Sequence, residues 1–432
     1  TTPATIAELM TINAATSGNV VLNAETIAQT YDDTAANLAA AFTGITSFEG
    51  GLNLNDTGSI LATDVFDISS LTSGATTANL TSHITGSSAE IVSAIGAVSF
   101  SPDVTLAITG TDSATVAELM TINATTSGNV VLNAATIAQT YDDTAANLAA
   151  AFDGIKTSAA TLTITAGTPA ATIADLTTIY AATSGNVVLN PETIGANLEG
   201  TASDFAATFS NVPNAGFTVT LIGADSATID ELKTINGAIS GAFVLNTATN
   251  AVAYTDTAAN LISAFDGITS HTGGLTVSDT GAVSAADLNK INTFTAGNTF
   301  VTAASEFTGS AAELVAAVGD VTQGQNVALT ITGTTPATIA ELKAINAATN
   351  GNVVLNAETI AQNYDDTAAN FAAAFEGINT STGDLSITGT DPATVAELIT
   401  LNAATSGAVV LNAQTIAANL GGTATELAAA FD

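Results

Sequence analysis

The chain has 432 residues, of which 39 are acidic and four are basic, so its net charge is −35, and it contains no Cys. A chain with so few cations cannot neutralise phosphates, which excludes nucleic acid as a partner, and anionic membrane surfaces should repel it. Hydrophobic residues make up 47% of the sequence, which excludes a disordered chain, and no run of 18 apolar residues predicts membrane insertion.

Internal repetition is the dominant feature of the sequence. Residues 4–23, ATIAELMTINAATSGNVVLN, return almost unchanged at 114–133 and 337–356. Shifting the first half of the chain by 223 residues aligns it with the second half, so we predict two four-unit blocks, 1–223 and 224–432. The eight units begin near equivalent positions spaced by 54–57 residues, at Thr5, Leu61, Thr115, Thr172, Thr228, Ser284, Thr338 and Thr394.

Each unit is predicted to begin with a strand and a helix. The strand alternates apolar and small polar residues, and the helix starts at a capping box such as Thr5-x-x-Glu8. The predicted inward-facing pairs are Leu52/Leu54, Leu162/Ile164, Val219/Leu221, Leu275/Val277 and Leu385/Ile387. The helix is expected to end at a glycine in the left-handed conformation, at Gly18, Gly128, Gly185 and Gly351.

A second strand, Val20 to Leu22 in the first unit, should follow, and then a short extended piece at 26–29. The second helix is predicted to begin near Thr34. One unit has too little apolar area to fold alone, whereas stacked units bury a continuous core. The predicted fold class is therefore α/β: a repeat solenoid of eight strand–helix–strand–helix units, with parallel strands, similar to a leucine-rich repeat.

Asn recurs directly after the second strand and again within the first helix. These residues would form either a ligand-binding stripe or a structural ladder, in which buried amides bond to the backbone of neighbouring turns. We favour the ladder, as in known solenoids. The ladder residues are Asn23, Asn133, Asn190, Asn246, Asn356 and Asn412, and the helical set is Asn13, Asn123, Asn236, Asn292, Asn346 and Asn402.

Acidic pairs recur before the second helix of several units. One interpretation is helix-start chemistry, because acids stabilise the positive end of the helix dipole. The other is calcium binding, because Ca²⁺ takes carboxylate oxygens; it rests mainly on the net charge, since no EF-hand or glycine-rich nonapeptide motif is present. The candidate calcium ligands are Asp32, Asp33, Asp142, Asp143, Asp365 and Asp366.

Catalysis has little chemistry to draw on in this sequence. His83 and His271 occupy non-equivalent places in the repeat, and no nucleophile elbow, phosphate-binding loop or zinc-binding motif occurs. The acidic pairs recur with the scaffold, whereas a catalytic pair should occur once. We therefore expect no enzyme activity.

Two segments carry a resemblance to a known class of proteins: residues 275–292, LTVSDTGAVSAADLNKIN, and residues 309–318, GSAAELVAAV. In composition and repeat style the whole chain resembles the acidic, Cys-free, Thr/Ala/Gly-rich repeats of large secreted bacterial cell-surface proteins of the cyanobacterial type. The resemblance implies secretion and a structural or adhesive role at the cell surface, and it supplies no catalytic residues.

The two ends of the sequence suggest stacking. The chain opens at Thr1, just after the place of a first strand, and closes at Asp432, just before one. We expect either a window of a longer repeat array or a subunit that binds itself head to tail and forms an extracellular filament, sheath or surface layer. The alternative is an adhesin stalk or a calcium-dependent glycan-binding solenoid, whose partner would be a surface polysaccharide.

Overall fold

The structure is a computed structural model that describes residues 2–78, 83–155, 157–165, 170–195, 197–210, 216–268, 270–324 and 326–431, without the side chains of 192 and 194. Thr1 and Asp432 lie outside the described residues. The protein is α/β, with several short sheets whose strands pair in parallel, so the predicted class and strand direction are confirmed. Within the described part, no helix is long and apolar enough to cross a membrane.

Three kinds of helix recur along the chain. The first kind follows the first strand of a unit: Ile6–Ala15, Ala62–Ser69, Val116–Thr125, Ile173–Ala182, Ile229–Ala238, Ala285–Asn292, Ile339–Ala348 and Val395–Ala404. The second kind closes a unit: Ala35–Phe42, Ser88–Ala97, Ala145–Phe152, Ala202–Phe209, Ala258–Phe265, Ala311–Asp320, Ala368–Phe375 and Ala424–Phe431. The third kind has only four or five residues: Ala24–Ile27, Ala134–Ala138, Pro191–Ile194, Thr247–Ala251, Ala357–Ala361 and Ala413–Ala417.

The predicted helix starts are correct. Thr5 and Glu8 form a complete capping box, in which the backbone N–H of Glu8 donates to Thr5 Oγ1 and that of Thr5 donates to Glu8 Oε2. The same box begins the helices at Thr115, Thr228 and Thr394. Thr34 is the N-cap of the helix Ala35–Phe42.

Contacts divide the chain into two compact units, Thr1–Glu199 with Ala215–Phe217 and Gly200–Asn214 with Thr218–Asp432. The predicted blocks 1–223 and 224–432 are defined by the sequence repeat rather than by contacts, and they stay a prediction. In both units consecutive helices pack on one another, as Ile6–Ala15 does on Ala35–Phe42 and Ile229–Ala238 does on Ala258–Phe265.

The strands of the first compact unit form three sheets. In hydrogen-bonding order, the first contains Tyr31–Asp33, Leu52–Leu54, Thr76–Ala78 and Ser99–Phe100; the second contains Ile60–Leu61, His83–Gly86, Thr105–Ile108 and Val130–Val131; the third contains Thr140–Asp143, Thr161–Ile164 and Val187–Val188. A further strand spans Asn197–Gly200.

The second compact unit is built in the same way. Its sheets contain Thr218–Leu221 beside Phe243–Val244; Tyr254–Asp256, Leu275–Val277, Thr299–Val301 and Val321–Thr322; Ala282–Ser284, Glu306–Gly309, Ala328–Ile331 and Val353–Val354; and Tyr364–Asp366, Leu385–Ile387 and Val409–Val410.

Neighbouring strands are separated by a short and regular length of chain. Tyr31 pairs with Leu52, 21 residues later, and Leu162 pairs with Val187, 25 residues later. The predicted inward-facing residues are confirmed, because every one is buried. Phe42, Phe152, Phe265 and Phe375 lie in the same core and come from the helices that close their units.

The predicted order of elements within a unit was incomplete. In the third unit, Val130–Val131 is followed by the short helix Ala134–Ala138 and then by a third strand, Thr140–Asp143. The extended piece predicted at 26–29 was wrong for the same reason: Ala24–Ile27 is one helical turn. It forms because Asn23 Oδ1 accepts the backbone N–H of Thr26 and so caps the turn.

Glycine also has a different role from the predicted one. None of Gly18, Gly128, Gly185 and Gly351 has a positive φ, so the left-handed helix end was wrong. The helix Val116–Thr125 instead ends at an extended Thr126, and Gly128 then passes close to the preceding turn. A Cβ added to Gly128 would lie 2.4 Å from the carbonyl oxygen of Asp103, so close backbone approach requires this glycine.

Gly128 and Gly18 therefore form a matched pair of mutation sites. Gly128→Ala should destabilise the protein by about 1–3 kcal/mol, because the Cβ must displace backbone. Gly18→Ala, at the equivalent position, should change stability by less than about 0.5 kcal/mol, since its Cβ would meet only Thr16 Oγ1 at 3.4 Å. Urea unfolding followed by circular dichroism measures both, and equal effects would contradict this explanation.

Candidate functional site

A polar cluster recurs wherever the sequence reads Asn-x-x-Thr, and we call it the loop clamp. In the third unit, the backbone N–H of Thr136 donates to Asn133 Oδ1 at 2.8 Å. Asn133 Nδ2 donates to the carbonyl oxygens of Asp112 at 2.8 Å and Gly110 at 3.2 Å. Asn133 thus caps a short helix and also holds the loop that precedes the helix Val116–Thr125.

The threonine of the loop clamp is buried and reaches the same loop. Thr136 Oγ1 accepts the backbone N–H of Ala114 at 2.9 Å, and the Tyr141 hydroxyl donates to the Ala114 carbonyl at 3.0 Å. Both backbone groups of the buried Ala114 are therefore paired. The same Thr and Tyr contacts hold Ala4, Ala227 and Ala337.

All six predicted ladder residues cap short helices, but most are not buried. Only Asn356 is buried; Asn133, Asn190, Asn246 and Asn412 are half-buried and Asn23 is exposed. Bonds to the backbone 21–24 residues earlier are present for Asn133, Asn246, Asn356 and Asn412. The amides bond to loops at the rim of the core rather than inside it, which is why burial was expected wrongly.

Sequence reasoning missed the buried Thr and the Tyr of the loop clamp. Their signal was available, because Thr stands three residues after each ladder Asn and Tyr stands five residues after that Thr in four of the six copies. The buried threonines are Thr26, Thr136, Thr193, Thr249, Thr359 and Thr415.

The second set of asparagines joins consecutive helices. Asn13 Nδ2 donates to the carbonyl oxygens of Ala40 and Thr43, at 2.9 and 3.0 Å, where the helix Ala35–Phe42 ends. Asn236 and Asn346 make the equivalent pairs of bonds, and Asn123 and Asn402 make one bond each. The last carbonyls of a helix lack partners within it, and these amides supply them.

The predicted calcium ligands do not act as pairs. Asp142 and Asp143 are consecutive in a strand, and consecutive strand residues point to opposite faces. Asp142 is exposed, whereas Asp143 Oδ1 accepts the backbone N–H of Thr144 at 2.7 Å and Asn147 Nδ2 at 2.8 Å. Asp33 and Asp366 make the same two bonds.

The exposed members of the pairs are Asp32, Asp142 and Asp365, of which Asp32 accepts a bond from Asn53 Nδ2. Among the described residues, no group of three or more His, Cys, Asp or Glu side chains is placed to hold a metal ion. Calcium binding at these carboxylates stays a prediction.

Acids elsewhere are also used at helix starts. The backbone bond from Thr5 holds the pKa of Glu8 below its usual range, and Glu313 and Glu426 have lowered pKa values for the same reason at Ser310 and Thr423. Asp56 Oδ2 accepts the backbone N–H of Ala35 at 2.9 Å, at the start of the preceding unit's second helix. Bonds of this kind give carboxylates a structural role without cationic partners.

Comparisons with known proteins identify no relative: no protein-family model matches the chain, and no curated protein matches it significantly.

The buried threonine of the loop clamp can be tested by an isosteric change. Thr136→Val should destabilise the protein by about 1–3 kcal/mol, because the buried N–H of Ala114 loses its acceptor. Thr163→Val, on the half-exposed face of a strand, should change stability by less than about 0.5 kcal/mol. Denaturant unfolding compares the two variants, and a neutral Thr136→Val would remove the loop clamp from the account of stability.

The clamp tyrosines predict sensitivity to alkali. Burial raises the pKa of Tyr141, Tyr254 and Tyr364 to about 12, whereas an unfolded tyrosine titrates near pH 10. Between about pH 10 and 12 the unfolded chain releases protons that the folded chain keeps, so stability falls as pH rises, by at most about 1.4 kcal/mol per pH unit for each tyrosine.

Tyr254→Phe separates this titration from the lost hydrogen bond. The lost bond lowers stability at every pH, whereas the missing proton makes the fall above pH 10 less steep. Urea midpoints measured across this pH range should therefore give a smaller slope for Tyr254→Phe than for the unchanged chain, and identical slopes would contradict the assignment.

Proposed function

We propose that the chain is a non-enzymatic structural repeat protein, a solenoid of eight units that binds itself head to tail and builds an extracellular filament, sheath or surface layer. The solenoid is supported by the constant 21–25-residue step between paired strands and by loop clamps that recur in both compact units. Such a structure has continuous packing and no single distinguished site.

The observation that carries the proposal is an apolar surface on the helix Ile6–Ala15. Ile12 is 47% exposed, whereas Ile122, Ile179, Ile235 and Ile345 at the same repeat position are fully buried. Ile179 belongs to the helix Ile173–Ala182, which packs on the preceding helix Ala145–Phe152. Ile12 therefore faces the place of a preceding helix of that type.

A complementary surface lies on the helix Ala424–Phe431. Phe431 is 55% exposed, whereas Phe42, Phe152, Phe265 and Phe375 at the same repeat position are at most 1% exposed. In the proposed contact, Ile6–Ala15 of one copy packs on Ala424–Phe431 of another, as Ile173–Ala182 packs on Ala145–Phe152. The contact joins two different surfaces, so it does not close on itself and extends into a filament.

The strand next to Ile12 supports the same contact. Val21 is 89% exposed, whereas its equivalents Val131, Val188, Val354 and Val410 are 47–49% exposed and lie in paired strands. Exposed apolar segments with free backbone groups recruit further strands.

Composition supports an extracellular setting. The absence of Cys makes the fold independent of redox conditions, and only four Lys and Arg residues leave few cleavage sites for trypsin-like proteases. The resemblance to secreted surface-protein repeats points the same way. An adhesin stalk or calcium-dependent glycan-binding solenoid is the second candidate, favoured by the solvent-facing carboxylates Asp142 and Asp365 on the sheets.

The head-to-tail contact can be tested with two variants that each disable one surface. The unchanged chain should form progressively larger species in sedimentation velocity as its concentration rises. Ile12→Glu and Phe431→Glu should each stay monomeric, because a buried unpaired carboxylate would oppose the contact. Thr11→Glu, one position away on an exposed site, should associate like the unchanged chain.

An equimolar mixture of the two variants gives the sharpest result. Ile12→Glu retains the surface around Phe431, and Phe431→Glu retains the surface around Ile12, so the mixture should form dimers and nothing larger. An unchanged chain that stays monomeric at every concentration would reject the proposal, and so would association that both variants leave intact.

A further inference from the structure

His271 lies in an aromatic cluster in the second compact unit. Its side chain is completely buried, and its ring centroid lies 4.8 Å from that of Phe265 and 5.6 Å from that of Tyr254. Neither ring nitrogen has a hydrogen-bond partner among the residues that the structure describes. A buried polar group without a partner is costly, and a charged one is far more so.

The repeat supplies an internal comparison for this cluster. Moving 223 residues toward the N-terminus replaces Tyr254, Phe265 and His271 by Tyr31, Phe42 and Phe48. The three rings pack in the same way, with Phe48 4.4 Å from Phe42 and 5.8 Å from Tyr31. One copy of the cluster is therefore wholly uncharged, and the other contains a group that titrates near neutral pH.

The charged groups around His271 are engaged elsewhere. On the neighbouring strand, the Tyr254 hydroxyl donates to the carbonyl of Ala227, and Asp256 accepts bonds from Thr257 and Asn260. After the helix Ala258–Phe265, Asp266 pairs with Lys290 at 3.1 Å.

On the following helix, Asp287 lies in the first turn. Burial lowers the pKa of His271, and no charged group contributes to that shift. Nothing around the ring compensates a proton placed on it.

We propose that His271 makes the second compact unit acid-sensitive, because protonation of its ring is incompatible with the aromatic packing and opens the segments around it. Above about pH 6.5 the ring is neutral whether the cluster is packed or open, so it has no effect. Below that pH the open form binds a proton that the packed form does not, so the equilibrium constant for opening rises by up to about tenfold per pH unit.

Nuclear magnetic resonance can test the packed state directly, since the chain has two histidines and His83 is exposed. In the full chain, the Cε1–H resonance of His83 should titrate near pH 6.5. The His271 resonance should keep its neutral position until the cluster opens. If His271 titrates together with His83 while the cluster stays packed, the proposal is overturned.

Hydrogen exchange of equivalent peptides tests the consequence. Between pH 7.5 and 5.5, the protection factors of 254–277 should fall relative to those of 31–54, after correction for the intrinsic exchange rates. His271→Phe, which restores the side chain found at Phe48, should abolish this difference. Phe48→His should transfer the acid sensitivity to 31–54.

Neutral pH provides the control for both variants, because packed clusters should protect both peptides there. An acid response that His271→Phe leaves unchanged would overturn the proposal, even if Phe48→His did not fold.

Discussion

Hydrogen bonds from a short side chain to the backbone of a neighbouring turn hold this fold together. Loops that precede the long helices lie against the core, and a buried backbone N–H without a partner destabilises a protein by about 1–3 kcal/mol. Thr136 and Tyr141 pair both backbone groups of Ala114, and Asn133 bonds to the loop just before it. Since these contacts recur from unit to unit, Thr and Asn are required at fixed positions throughout the chain.

The same reasoning explains how a chain with 39 acids and four bases can be well paired. Its carboxylates bind backbone N–H groups at helix starts, as Glu8 does in its capping box and Asp56 does at Ala35. At helix ends, where Lys or Arg would commonly approach the carbonyls, Asn13 and its equivalents donate from neutral amides. Backbone dipoles therefore take the place of salt bridges, and the cations are not needed.

How much of this could be predicted depended on the range of the interaction. Capping boxes and alternating strands are local patterns, and Thr5, Thr115, Leu162 and Ile164 were placed correctly from them. The glycine after the long helix was recognised, but its reason was not, because the clash at Gly128 is with Asp103 in the preceding turn. The Asp pairs misled for the opposite reason: adjacent acids seem to form one site, but in a strand they face opposite sides.

The loop clamps and helix-joining amides also bear on how such a chain changes over time. Each of these bonds connects residues only 21 to 30 positions apart, as from Asn133 to Asp112 and from Asn13 to Thr43. Recombination that removes or duplicates one whole period therefore leaves every surviving period with its own partners. A surface protein built in this way can vary its length without any compensating substitution in its core, so its reach from the cell becomes a trait that selection can adjust in fixed steps.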